Sequence, residues 1–116
     1  MNNNKIDYLE FASLNIDASK TFFSKVFDWQ FEDYGPDYAA FSNQGVDGGF
    51  YSSDTVATTQ DGAPLTVFYS DDIDSVLAAV KAADGKIVKD IFDFPGGRRF
   101  QFIEPGGNEL AVWTDK

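Results

Sequence analysis

One pattern runs twice through this chain, and it limits the possible folds more than any other feature. Asn15-Ile16-Asp17-Ala18 opens one amphipathic segment, and Asp72-Ile73-Asp74-Ser75 opens another 57 residues later in a chain of 116. Asn or Asp at the first of these places caps a helix, and the acid two residues on suits the positive end of the helix dipole. Ala18, Phe22, Phe23, Val26 and Phe27 then recur at helical spacing, as do Ile73, Val76, Leu77 and Val80, with Gly85 placed as the second helix's C-cap. A strand-like run precedes each helix: Lys5 to Ala12, with Tyr8, Glu10 and Ala12 on one face and Leu9, Phe11 and Ser13 on the other, and Leu65 to Ser70. Three more runs follow each helix: Trp29 to Tyr34, Tyr38 to Ser42 and Val46 to Tyr51, then Lys86 to Asp90, Arg98 to Ile103 and Asn108 to Thr114. Each half reads βαβββ, as module 1 (5–51) and module 2 (64–115), joined by a polar linker (52–63). A four-stranded half cannot bury its helix and both sheet faces alone, so the pattern predicts one α+β domain, with the modules side by side around a curved mixed-sheet cleft.

The chain has no histidine and no cysteine. That removes Ser-His-Asp and Cys-His nucleophile systems, thiol redox pairs, and imidazole or thiolate metal sites. With 43% hydrophobic residues and 12 Phe, it has the material of a packed core. Its net charge of −10 repels phosphate backbones, and Arg98-Arg99 is the only adjacent basic pair, so nucleic acid is not an expected partner. The longest apolar run, Val76 to Val80, and the polar start Met1-Asn2-Asn3-Asn4-Lys5 predict neither a membrane span nor a signal peptide. A cytoplasmic protein is the corresponding expectation.

Candidate site residues follow from position. Glu10, mid-strand, is a pocket acid/base if buried, or one half of an ion pair. Glu109 either faces the cleft with Ala111 and Trp113 by period two or holds the Gly106-Gly107 turn. Arg98 and Arg99 are neighbours on a strand, so one points inward, where it can hold a ligand carboxylate or phosphate, unless both serve to neutralise surface acids. Gln101 on that strand is a donor and acceptor only. Tyr8, Phe50, Phe68 and Trp113 are among the strand aromatics from which a cleft lining is drawn, with Thr66 beside them. The Gly pairs at 48-49, 96-97 and 106-107 read as turns and bulges, because none joins a strand to a helix N-terminus as a phosphate loop would.

The double βαβββ pattern carries further motifs: the helix Asp17-Ala18-Ser19-Lys20-Thr21-Phe22-Phe23, and Phe94-Pro95-Gly96-Gly97-Arg98-Arg99-Phe100 followed by Glu104-Pro105-Gly106-Gly107-Asn108-Glu109-Leu110. Together they resemble the glyoxalase / bleomycin-resistance / extradiol-dioxygenase superfamily, the vicinal oxygen chelate proteins, and within it the small lactoylglutathione-lyase-related members. The closing hairpin is similar to that family's Asp-Pro-x-Gly-Asn turn, with Glu104 in place of Asp. The resemblance implies four metal-ligand positions, which fall here on Tyr8, on Gly48 or Gly49, at or next to Thr66, and on Ala111. None is a normal ligand for a divalent cation, although a one-residue slip of register brings in Glu10 or Glu109.

The resulting expectation is a homodimer, as the resemblance implies, binding a small organic molecule in a metal-free aromatic cleft for sequestration or carriage. No cofactor or metal is expected, and the ligand contacts are Tyr8, Glu10, Phe50, Thr66, Phe68, Arg98, Arg99, Gln101 and Trp113. The alternative is a lyase, isomerase or epimerase with Glu10 or Glu109 as base and Mg²⁺ or Mn²⁺ on oxygen ligands. A third reading is a structural or regulatory dimer whose cleft is filled by its own side chains.

Overall fold

The computed structural model describes all 116 residues. Module 1 comprises β1 (Tyr8–Ser13), α1 (Ile16–Phe27), β2 (Phe31–Asp33), β3 (Tyr38–Phe41) and β4 (Asp47–Ser52). Module 2 comprises β5 (Thr66–Tyr69), α2 (Ile73–Ala82), β6 (Lys86–Phe94), β7 (Gly97–Ile103) and β8 (Glu109–Thr114). The sheets repeat one topology, β1-β4-β3-β2 and β5-β8-β7-β6, with the first pair parallel and the rest antiparallel. The fold is two tandem βαβββ modules, as the duplicated pattern predicts.

The caps explain the helix limits. Asn15 and Asp72 accept from the backbone N–H of Ala18 and Ser75, at 3.1 and 3.2 Å. At the C-termini, Asp28 and Asp84 both take the left-handed conformation, at φ 60° and 70°. Gly85 is therefore not the left-handed cap. It is needed for space, because a Cβ there would lie 2.5 Å from Val80 Cγ1. β6 also runs beyond the expected Asp90 to Phe94, after register shifts between Ile87 and Lys89 and between Lys89 and Phe92. Such bulges interrupt the alternation from which a strand is read.

Each helix covers one face of its own sheet, and the helices also touch each other. One core spans both modules: Phe23 stacks on Trp29 at 4.7 Å, Phe22 meets Phe102 at 5.6 Å, and Phe27 stacks on Phe68 at 4.6 Å. Neither module encloses that aromatic cluster alone. A polar clasp adds to it. Glu104 is 1% exposed and accepts from Ser19 Oγ at 2.8 Å, from Asn108 Nδ2 at 2.7 Å and from the Gly106 N–H. Asn108 Nδ2 also donates to Ala12 O at 2.7 Å, and Leu14 N–H donates to Gly106 O at 2.9 Å. The Glu104-Pro105-Gly106-Gly107-Asn108 turn thus fastens module 2 to β1 and α1, and Glu104 rather than Glu109 holds the glycine pair.

Candidate functional site

The sheet faces turned away from the helices are the open faces. Strand register puts Tyr8, Glu10 and Ala12 of β1, Asp47, Gly49 and Tyr51 of β4, Tyr38 and Ala40 of β3, and Glu32 of β2 on the first of them. Tyr38 lies across Gly49, where a Cβ would overlap its hydroxyl, and so reaches over β4 to β1. Its hydroxyl donates to Glu10 Oε2 at 2.8 Å and pairs with Tyr8 Oη at 2.7 Å. Because the Tyr38 proton is committed to Glu10, Tyr8 is the donor to Tyr38, which makes a directed chain Tyr8→Tyr38→Glu10. Burial, the bond to Tyr8 and the bond to Glu10 together push the Tyr38 phenol far above its ordinary range, so it keeps its proton at neutral pH. Beside this chain is a hollow of about 520 Å³, lined in part by Tyr8, Tyr34, Glu32, Ala40 and Asp47.

The second open face carries Val67 and Tyr69 of β5, Glu109, Ala111 and Trp113 of β8, Arg99 and Gln101 of β7, and Lys89 and Phe92 of β6. Gln101 Nε2 donates to Glu109 Oε2 at 3.0 Å, and Arg99 Nη2 donates to Gln101 Oε1 at 3.1 Å. The other Glu109 oxygen accepts both the N–H and the hydroxyl of Thr59, each at 2.8 Å. Burial alone would raise the Glu109 carboxyl, but these donors and nearby Lys89 hold it below the ordinary carboxylate value. Thr59 belongs to a 3-10 turn, Thr59–Asp61, so Glu109 ties the linker to the sheet. Between the modules, roofed by Val56, Ala57 and Ala63 of that linker, is a hollow of about 320 Å³ reached by Glu10, Tyr51, Asn108 and Glu109.

Several expected contacts lie elsewhere. Phe50 is fully buried against Phe11 and Phe23, and Phe68 packs on Phe27 and Trp29, so both belong to the core side and not to the cleft. Thr66 pairs with Leu110 on the core side, although it borders the inter-module hollow; the open-face neighbour is Val67, opposite Ala111. Arg98 faces away from Arg99, and its Nε reaches the Lys116 carbonyl at 3.4 Å. Neither arginine forms an ion pair, the one in the protein being Lys20–Asp33 at 2.7 Å, although Arg98 lies opposite the surface acid Asp93 across the β6–β7 pair. Glu10 is exposed rather than buried, and it is held by a phenol rather than in an ion pair. Gly48 and Gly49 lie inside β4, in neither a turn nor a bulge. Tyr8, Glu10, Arg99, Gln101, Glu109 and Trp113 do lie on the open faces. Tyr38, Thr59 and Lys89 join them there unforeseen, and only the Gly48-Gly49 pair inside a strand signalled a side chain crossing close to the backbone.

The metal positions that the resemblance implies bring together a phenol at Tyr8, bare backbone at Gly49, aliphatic Val67 beside Thr66, and the methyl of Ala111. No three Asp, Glu, His or Cys residues gather anywhere in the protein. This donor set does not fit a divalent cation, which requires several carboxylate or imidazole ligands.

No curated protein matches the sequence. Among solved structures, a glyoxalase/bleomycin resistance protein/dioxygenase family enzyme from Burkholderia phytofirmans PsJN superimposes with a TM-score of 0.81 at 16% identity, covering 97% of this chain and 99% of that one. The fosfomycin resistance protein FosX from Listeria monocytogenes gives 0.80 at 13% identity, covering 96% and 93%. Lactoylglutathione lyase from Agrobacterium tumefaciens gives 0.70 at 16% identity, also covering 96% and 93%. At these identities the likeness is one of fold. The sequence itself matches a family across residues 5–112, nearly its whole length, and the chain therefore belongs to the Glyoxalase/Bleomycin resistance protein/Dioxygenase superfamily.

Proposed function

We propose that this protein binds a small organic molecule on its open sheet faces without a metal, to sequester or carry it, and that it works as a homodimer. The observation that carries this reading is the composition of the four implied ligand positions. A phenol, a glycine, an aliphatic side chain and an alanine stand where the superfamily's metal chemistry needs donors. The surroundings suit a ligand: hollows of about 320 and 520 Å³, half-exposed Tyr8 and Tyr51, and a few fixed polar handles. A purely structural dimer would require a cleft filled by its own side chains, which those hollows do not support.

The directed chain Tyr8→Tyr38→Glu10 favours one second reading, a metal-independent isomerase or epimerase. Glu10 would take a proton from carbon beside a carbonyl through Oε1, the oxygen that Tyr38 does not hold. Glu109 is the weaker base candidate, since its carboxylate is already engaged by Thr59 and Gln101.

A melting-shift screen of small metabolites and xenobiotics in EDTA tests the binding reading. A ligand at about a hundred times its Kd adds roughly 2.7 kcal/mol to stability, which reads as several degrees in Tm. We expect at least one compound to raise Tm in EDTA. A screen in which compounds act only after Mg²⁺ or Mn²⁺ is restored, or none acts at all, contradicts the reading. For any hit, Glu10→Gln separates the two functions. Binding kept while exchange of a ligand C–H for deuterium stops identifies the enzyme, and the absence of exchange in the wild type identifies the binder.

A further inference from the structure

The chain has nine basic residues against 19 acidic ones, yet Lys86, Lys89 and Arg99 come together on the second open face. The two register shifts in β6 bracket Lys89. Its ammonium lies 5.8 Å from the centre of the Phe92 ring, and the Arg99 guanidinium lies 5.3 Å from the same ring and 6.0 Å from that of Phe94. Arg99 has no carboxylate partner. One of its terminal nitrogens is used by Gln101, and its Nε is buried with no hydrogen-bond partner at all. A buried guanidinium N–H left unpaired is costly. It is stranger still in a protein with this excess of acid.

The two carboxylates nearby, Glu109 and Asp115, do not bond to Arg99. Both Glu109 oxygens are bonded by Thr59 and Gln101, with Lys89 close enough to help hold the anion, and Asp115 accepts from Tyr69 at 2.6 Å, so neither carboxylate bonds to Arg99. A hollow of about 590 Å³ is lined by Lys86, Lys89, Gln101, Glu109 and Thr59 among others, and Arg99 stands behind Gln101 at its edge. Beyond the hollow, further along the same sheet face, Trp113 is met edge-on by Tyr69 at 5.2 Å and flanked by Phe94 at 6.3 Å. The first open face is opposite in character, with Glu10, Glu32 and Asp47 and no base.

We propose that the second open face is a binding site for an organic oxyanion. Arg99 and Lys89 hold a carboxylate, phosphate or phosphonate head, and Trp113 with Phe94 contacts an aromatic or apolar body. The carboxylates of the first sheet repel the same head and set its orientation in the cleft. This inference rests on the binding reading above and adds the chemical class of the ligand.

Trp113 fluorescence tests it, with Trp29 buried as an internal constant. Phenylphosphonate, benzyl alcohol, benzylammonium and inorganic phosphate are titrated separately at an ionic strength of about 0.15 M, where long-range attraction is screened. Phenylphosphonate should bind roughly tenfold or more tightly than the other three, as charge-assisted hydrogen bonds plus aromatic contact require. Arg99→Gln and Lys89→Gln should each weaken it by about tenfold, whereas Arg98→Gln should leave it unchanged. Lys89→Gln provides the test if Arg99→Gln fails to fold. Preference for benzyl alcohol or benzylammonium overturns the oxyanion assignment and leaves the binding reading standing. Equal binding of inorganic phosphate, or equal loss with Arg98→Gln, shows a diffuse charge effect and overturns the site. Silence from all four probes overturns the oxyanion site, and the wider melting screen then decides the binding reading separately.

Discussion

Two glutamates flank the closing turn, and their environments set them apart. Glu104 sits under the turn with donors from Ser19, Gly106 and Asn108, yet burial still leaves its carboxyl above the ordinary 4.5. A folded-state value above the unfolded one gives a contribution that is full below about 4.5 and is lost as pH rises through the folded value. Glu104→Gln places an amide N–H against the Asn108 donor and should cost about 1–3 kcal/mol. Denaturant unfolding at several pH values should show the wild type's margin over this variant shrinking from acid toward neutral pH; a margin that widens contradicts the assignment. Glu109 has the opposite sign. Its lowered value means that its bonds stabilise above about 4.5 and that the contribution is lost as pH falls through the folded value. Glu109→Gln should therefore cost about 1–2 kcal/mol at neutral pH and progressively less in acid. The turn was legible in the sequence, but which glutamate lies beneath it was not. That depends on how five turn residues curl against Ser19, 85 positions away in the chain.

Among the elements, the repeated caps and the helical spacing of Phe22, Phe23, Val76 and Val80 made α1 and α2 legible, and alternation did the same for most strands. It failed where local geometry breaks the period, at the β6 bulges, and where faces are exchanged. Phe50 and Phe68 are aromatic strand residues like Tyr8 and Trp113, and only register against a helix-covered face sends them inward. Gly49 shows the opposite case, a residue whose lack of a side chain is the signal. Gly49→Ala should displace the Tyr38 ring, cost about 1–3 kcal/mol, and break the bond to Glu10. Ultraviolet titration of the phenols should then find the most resistant tyrosine returning toward the ordinary value of 10.0. Resistance unchanged from the wild type contradicts the Tyr8→Tyr38→Glu10 chain, since the raised values of Tyr34 and Tyr69 are common to both proteins. The linker supplies a second element-scale test. Glu109→Gln frees Thr59, so limited proteolysis should cut residues 53–63 faster than in the wild type, and unchanged cutting would show that Glu109 does not tie the linker down.

At the scale of the whole molecule, duplication gives two sheets of one topology around a shared core, and the chemistry of the two open faces has diverged. One carries phenols and carboxylates, the other Arg99, Lys89 and a ring wall. The fold was legible because the pattern repeats and the closing turn is distinctive; the charge partition was not, because it arises from pairing between strands distant in sequence. We propose that this member of the superfamily keeps the fold and dispenses with the metal. Elemental analysis of untagged protein, read together with its melting temperature before and after EDTA, decides it. Far less than one equivalent of any divalent metal and an unchanged Tm are expected. One bound equivalent, or a Tm that falls on chelation, would contradict it.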